Sequence, residues 1–177
     1  MIFAYVVALW RRLNEQQRGA WVSAGKGTSS QTKLLQSGKL PGYVLFMKLN
    51  TTLAYQGLPP ALVPTERPKF DANPVGDLVI TSTADAIELK LSVPNAPAGI
   101  ILVLGAAPRS AGVSFANHFT ILGRLPAPEA GYSNIRKLYV ERYGEPSPGT
   151  RIFIRTRQLV NGWEDDPIQT TALVPKP

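Results

Sequence analysis

The sequence contains no cysteine and only one histidine, His118. Without cysteine the chain can form neither disulfides nor thiolate metal sites. A single histidine excludes a zinc site built from several histidines, although it leaves open a role as a catalytic base. His118 lies in a strand-like run, so we expect a packed or half-exposed position on a sheet. No cofactor is expected.

Acidic residues are scarce in the first sixty residues, where Glu15 stands against seven lysines and arginines. This region therefore carries +6 of the chain's net charge of +7. Such an excess is typical of a surface for nucleic acid, anionic lipid or an acidic protein, and equally of a solubilising charge. Trp10, Trp21 and Tyr43 lie among the candidate anionic contacts. Those contacts are Arg11, Arg12, Arg18, Lys26, Lys33, Lys39 and Lys48.

No apolar run is long enough to span a bilayer. The longest candidate, Met1–Trp10, is about half the ~20 residues that a spanning helix needs. Its basic neighbours Arg11 and Arg12 follow the run, whereas a signal peptide carries its charges in front. We therefore expect a buried helix rather than an export signal.

Signatures of catalysis are also missing. The sequence has no GxSxG, HExxH or GxGxxG, and GKGTSS at Gly25–Ser30 lacks the spacing of a phosphate-binding loop. Carboxylates cluster once, at Glu164–Asp166, in a predicted turn beside Trp163. A solvated acidic turn is the preferred interpretation, with a calcium site as the alternative. The sequence predicts a protein that is not an enzyme and holds no metal.

Helical periodicity marks the front of the chain. Four apolar residues recur at i, i+4, i+7 and i+11, and three more lie beside them, which makes a wide stripe. A stripe this wide needs more than one partner surface, so it is the candidate assembly interface. Its members are Ile2, Phe3, Val6, Val7, Leu9, Trp10 and Leu13.

Two further helices are predicted before residue 58. Asn14 and Gln17 form an approximate capping box for a helix that ends at Gly25. After a loop over Gly25–Ser37, a third helix begins near Pro41 or Gly42 and ends at Gly57. Residues 1–57 thus form a basic helical region. Five prolines in residues 58–75 predict a semi-rigid linker.

From Gly76 onward the apolar period changes to two, which is typical of strands. Turn residues separate the runs, and about seven short strands at this spacing predict an antiparallel β-sandwich over residues 76–177. Arg151, Arg155 and Arg157 alternate with apolar residues near Arg136 and Lys137 on the likely neighbouring strand, and we expect Glu141 and the acidic turn Glu164–Asp166 to neutralise them. The first predicted strand follows Gly76. The other six are Ile87–Leu91, Ile100–Leu104, His118–Gly123, Ile135–Tyr143, Arg151–Val160 and Gln169–Val174.

Two resemblances add to this reading. The succession SPGT, RIFIRTRQLV, NGWEDDP and IQTTALV, which ends at Val174, resembles the end of a fibronectin type III domain, with Phe153 at the place of an early aromatic in the sixth strand. The resemblance implies an immunoglobulin-like sandwich over about residues 76–177. The front resembles uncharacterised bacterial and prophage-encoded proteins, which carry QRxAW, then a helix ending in GLPP, then a fibronectin-like domain. The matching positions are Gln17, Arg18, Ala20, Trp21, Phe46, Asn50, Leu53, Gly57, Leu58, Pro59 and Pro60.

Three functions fit these observations. The first is a repeating structural subunit of a phage particle or an extracellular filament, which places the protein on a virion or outer surface rather than in the cytoplasm. The second is an adhesion module for carbohydrate or protein, with Tyr132, Tyr143 and Trp163 as ligand aromatics. The third is a nucleic-acid or anionic-surface binder that uses residues 1–57. The expected partners of the first are further copies or other structural subunits.

Overall fold

The computed structural model describes residues 2–28, 38–82, 86–97 and 99–176. Over these residues the chain is mixed α/β, with four helices and nine strands arranged in antiparallel sheets. It divides into two compact units. The first comprises Met1–Lys69 and Leu159–Glu164, and the second comprises Phe70–Gln158 and Asp165–Pro177.

Three helices form the first unit: α1 (Ile2–Arg12), α2 (Glu15–Gly27) and α3 (Gly42–Gln56). The predicted capping box is confirmed, because Gln17 N donates to Asn14 Oδ1 at 2.8 Å and Asn14 N donates to Gln17 Oε1 at 3.0 Å. Helix α2 continues to Gly27, two residues beyond its predicted end. Gly57 ends α3 in the left-handed conformation, as its position predicts. Most of the predicted loop over Gly25–Ser37 lies outside the described residues.

Helix α3 is the centre of the first unit, because both α1 and α2 pack on it. Its apolar content is high on several sides, as expected for a helix with two neighbours. Within the described residues, no helix combines the length and the apolarity needed to cross a membrane. The core consists of Val6, Leu13, Trp21, Leu45, Phe46, Met47 and Leu49.

Side-chain hydrogen bonds hold the first part of the predicted linker against the helices. Asn50 is buried, and its amide accepts from Ala61 N at 2.7 Å and donates to Ala61 O at 3.2 Å. Trp21 Nε1 donates to Leu62 O at 2.9 Å. Residues 58–69 therefore belong to the helical unit.

A hairpin tip from the far end of the chain completes the first unit. Asn161 and Gly162 both have positive φ, which is typical of a two-residue hairpin turn. Gly162 is buried, and a β-carbon there would lie 2.8 Å from Leu49 O, so glycine is required. Trp163 packs on the helical core and its Nε1 donates to Thr65 O at 3.2 Å.

Two antiparallel sheets form the second unit. The first has the order β1-β2-β6, and the second has β9-β7-β3-β5, with the short strands β4 and β8 also paired to β7. The strands are β1 (Leu78–Ser82), β2 (Ile87–Ser92), β3 (Ile100–Gly105), β4 (Arg109–Ser110), β5 (Thr120–Arg124), β6 (Tyr132–Asn134), β7 (Thr150–Val160), β8 (Trp163–Glu164) and β9 (Ile168–Leu173).

Both sheets contribute to one hydrophobic core. Leu89 and Leu91 of β2 are buried together with Ile152 and Ile154 of β7, which is the alternation expected for strands with one covered face. Val103 of β3 lies in the same cluster.

The predicted strand Ile135–Tyr143 is wrong. Residues Arg136–Tyr143 form helix α4, and the strand that precedes it, β6, was not predicted. In this segment Leu138 and Val140 alternate with charged residues, but Ile135 and Tyr139 are the residues that are fully buried. Their spacing of four residues suits a helix, and burial of this face decides the outcome.

Tyr139 gives the second unit a specific response to alkaline pH. Its buried hydroxyl donates to Ala106 O at 2.9 Å. Burial, and secondarily the neighbouring Tyr143, raises the pKa of Tyr139 far above its ordinary value near 10. Above that pH the unfolded chain releases a proton that the folded chain keeps, so stability falls by about 1.4 kcal/mol per pH unit.

We expect Tyr139→Phe to cost about 1 kcal/mol at pH 7, because one hydrogen bond is lost. The difference between the variant and the parent should shrink or reverse at pH 11, because phenylalanine has no proton to lose. Urea unfolding followed by far-ultraviolet circular dichroism at both pH values measures this. A difference of the same size at pH 7 and pH 11 would contradict the assignment.

Candidate functional site

Helix α1 divides the predicted assembly residues into two rows. Ile2, Val6, Leu9 and Leu13 turn toward the core, where Val6 is fully buried and Leu13 nearly so. These side chains are therefore used within the unit itself. The second row, at i, i+4 and i+7, consists of Phe3, Val7 and Trp10.

The second row borders solvent and continues onto α3. Phe3 is 65 % exposed, while Val7 and Trp10 are half-buried. The Trp10 ring meets the Tyr43 ring edge-on, with 5.4 Å between centroids, and its other contact is Phe46 in the core at 5.1 Å. We call Phe3, Val7, Trp10 and Tyr43 the aromatic row. It joins an exposed phenylalanine to a tyrosine that is 38 % exposed.

No carboxylate interrupts the helix that carries the aromatic row. Helix α1 contains no acidic residue, and its charges are Arg11 and Arg12 in the last turn, where cations complement the helix dipole. Arg18 Nη2 donates to Arg11 O at 2.9 Å and satisfies a carbonyl at that helix end. The arrangement offers an apolar contact surface with a basic end.

The predicted anionic contacts are distributed over several elements. Arg11 and Arg12 lie at the end of α1, Arg18 and Lys26 on α2, and Lys48 on α3. These five residues and Lys39 are exposed, and Lys33 lies outside the described residues. The structure does not gather them on one helix.

The three predicted ligand aromatics have different environments. Tyr143 is half-buried, donates its hydroxyl to Gly105 O at 2.9 Å and packs on the core. Trp163 is held by Thr65 and the helical core, as described above. Tyr132 is the one of these three that is exposed.

Tyr132 borders a depression of about 470 Å³ on the sheet β1-β2-β6. Lys90, Glu129 and Asn134 also line it. Asn134 Nδ2 donates to Glu88 Oε2 at 2.7 Å, and the same oxygen lies 3.6 Å from Lys90 Nζ. The depression thus combines one aromatic ring with fixed polar groups.

The structure does not bring His118 and the acidic turn together with other groups into a catalytic or metal site in the described residues. His118 is exposed in the segment before β5, and no acid or hydroxyl in the described part of the chain hydrogen-bonds it. The acidic turn is used for internal hydrogen bonds, since Glu164 Oε1 accepts from Thr52 Oγ1 and Asp165 Oδ1 accepts from Asp166 N. The described residues contain no metal-type cluster of three or more His, Asp or Glu side chains.

Of the carboxylates expected to neutralise the β7 arginines, Glu141 lies on α4 rather than on a neighbouring strand. Arg136 and Lys137 lie on α4, where they pair with Glu145 and with Glu141. The sequence could not show this, because it depends on 136–143 being a helix. Arg151 and Arg155 therefore need another explanation, because neither forms an ion pair in the described part of the chain.

Comparison with known proteins found no match. Neither the protein-family models nor the curated proteins match the sequence, and no solved structure matches the fold.

Proposed function

We propose that this protein is a non-enzymatic structural subunit that associates with further copies of itself through the aromatic row. The exposure of Phe3 at the end of a continuous apolar row carries the proposal. The resemblance of the front segment to prophage-encoded proteins favours a phage particle or an extracellular filament as the assembly.

A second copy is the occupant that we propose for the aromatic row. Burying one phenylalanine side chain contributes about 1.5–3 kcal/mol, and a symmetric contact counts each residue twice. Because α1 carries no acid, two such helices can meet without burying an unpaired carboxylate.

We also propose that the second unit is a fibronectin type III-like sandwich that serves as a scaffold. Apart from the two-residue strands β4 and β8, seven strands remain. The first, second and fifth form one sheet, while the third, fourth, sixth and seventh form the other. This three-plus-four division around one core supports the proposal.

The test replaces Phe3 or Tyr43 with serine in the full chain. We expect each variant to weaken self-association at least tenfold, since about 1.4 kcal/mol is lost with one buried ring. Sedimentation velocity over a concentration series measures the change, and electron micrographs show whether ordered assemblies are lost.

Phe115→Ser is the matched control. Phe115 is 63 % exposed, close to the value for Phe3, but it lies in the second unit. It should leave self-association within a factor of two. A parent protein that stays monomeric at 0.1 mM, or an equal loss in the control, would refute the role of the aromatic row.

The depression at Tyr132 favours a second candidate function, an adhesion module for carbohydrate. An exposed ring beside Asn134 and Lys90 could take the apolar face of a sugar while the polar groups accept and donate hydrogen bonds. A glycan array should show binding that Tyr132→Ala abolishes. Trp163→Ala is unsuitable as a control, because Trp163 packs in the helical unit.

A further inference from the structure

Strand β7 carries a row of arginines on the face opposite the core. Ile152 and Ile154 are fully buried between the sheets, so the residues that alternate with them lie on the other face. Those are Arg151, Phe153 and Arg155, and Arg157 continues the same every-second-residue series.

A fourth arginine comes from β4. Arg109 pairs in register with Arg151 on β7, so the two side chains lie on the same face about 5 Å apart at the backbone. We call Arg109, Arg151 and Arg155 the arginine surface. Like charges placed directly opposite each other destabilise a sheet.

Neutral groups hold the guanidinium groups of Arg151 and Arg155 in place. Arg151 Nε donates to Ala111 O at 3.1 Å, and Arg155 Nε donates to Gln169 Oε1 at 2.9 Å. The Arg155 guanidinium also lies 3.9 Å above the centre of the Phe119 ring. In both arginines only Nε is hydrogen-bonded within the described residues, which leaves the terminal nitrogens available to a ligand.

No carboxylate in the described residues forms an ion pair with Arg109, Arg151 or Arg155. Desolvation, and then the charge of Arg157, lowers the pKa of Arg155. An anion bound here would therefore relieve repulsion that the folded chain otherwise keeps.

We propose that the arginine surface binds the phosphate groups of a nucleic-acid strand. Guanidinium forks bind phosphate in a bidentate manner. Arg151 and Arg155 are spaced by about 13 Å along the strand, and Arg109 lies beside Arg151, so the cations form a line that a polyanion can follow. The chain's net charge of +7 attracts such a ligand from a distance.

One general property of nucleic acid and one observation of this structure favour it over an acidic polypeptide. A phosphate backbone presents single charges at regular intervals and therefore needs no matching sequence. Phe115, in the loop that places Phe119 and Ala116 over Phe153, is exposed and offers a ring on which a base can stack.

The experiment measures fluorescence anisotropy of a labelled twenty-nucleotide oligo-dT with the full chain at 50 to 200 mM salt. Three phosphate contacts predict a slope of log affinity against log salt of about −2 for single strands. The variant R109Q/R151Q/R155Q should bind at least tenfold more weakly at 100 mM salt and lose most of that slope.

The control R67Q/K69Q/R142Q removes the same charge from exposed positions elsewhere and should stay within threefold of the parent. The single variant R109Q is a second test that does not depend on folding of the triple variant, because the Arg109 side chain is exposed and has no hydrogen-bond partner in the described structure. Its slope should fall by about 0.7.

Four results would overturn the proposal. They are no binding by the parent at 50 mM salt and 0.1 mM protein, an equal loss in the control, an equal loss in R11Q/R12Q/R18Q, and displacement of the oligonucleotide by poly-glutamate at equal charge concentration. The last would identify an acidic polypeptide as the ligand.

Discussion

Replacing Gly42 with alanine is expected to unfold the helical unit. A β-carbon at Gly42 would lie 2.6 Å from Val22 N and 2.7 Å from the carbonyl carbon of Trp21. Both atoms belong to the backbone of α2, so neither can turn aside as a side chain could. The contact is reciprocal, because a β-carbon at Gly25 would lie 2.3 Å from Leu40 O. We expect a loss of about 3 kcal/mol or more.

Tryptophan fluorescence measures this loss in one unit alone. The chain has three tryptophans, Trp10, Trp21 and Trp163, and all of them belong to the first unit. Urea unfolding of Gly42→Ala should show an earlier fluorescence transition, or none, while far-ultraviolet circular dichroism retains the strands.

Gly19→Ala is the control for the Gly42 prediction. Gly19 lies within α2, and no atom would come within 4 Å of its added β-carbon. Alanine there should stabilise the unit by about 0.5–1 kcal/mol, because it lowers the entropy of the unfolded chain. If both variants shift the transition in the same direction, the close approach of α2 and α3 is not the reason that Gly42 must be glycine.

Asn50→Ala is expected to cost the helical unit about 2–4 kcal/mol. Asn50 is almost fully buried, and alanine would leave Ala61 N and Ala61 O without the partners that the amide provides. Its second donor bond, to Phe46 O at 3.1 Å, would also be lost. The midpoint of urea unfolding, followed by tryptophan fluorescence, measures the cost.

Gln16→Ala serves as the comparison for Asn50. Gln16 is exposed on α2 and its side chain makes no hydrogen bond in the described structure, so its loss should change stability by less than about 0.5 kcal/mol. Equal effects at the two positions would show that the buried amide does not hold residues 58–63.

The helices of the first unit could be predicted because residues close in sequence determine where they begin and end. Asn14 and Gln17 cap α2 with their own side chains, and Gly57 supplies the left-handed residue that ends α3. The inward row of α1 likewise follows from spacing alone. Spacing alone could not predict which residues of the α1 apolar stripe are buried. Val6 and Phe3 differ in exposure because α3 covers only one side of α1.

The second unit was predicted less completely, for a physical reason. Residues 135–143 satisfy both a two-residue and a four-residue period, and burial of Ile135 and Tyr139 against the sheets selects the helix. Tyr143 in this unit and Trp163 in the first unit were predicted as ligand aromatics, but the Tyr143 hydroxyl and the Trp163 indole donate to backbone acceptors far away in sequence. Such long-range pairings leave no mark in a local pattern.

The hairpin tip at Leu159–Glu164 sets the order in which the protein can be completed during synthesis. The three helices are synthesised before the second unit, yet six residues of their own unit, Leu159–Glu164, follow Lys69 by ninety residues or more. The nascent helices lack Gly162 and Trp163 at first, so strands β1–β6 and most of β7 are synthesised while the helical unit is still incomplete. For the same reason, a recombinant fragment that stops at Lys69 lacks the indole that closes its core.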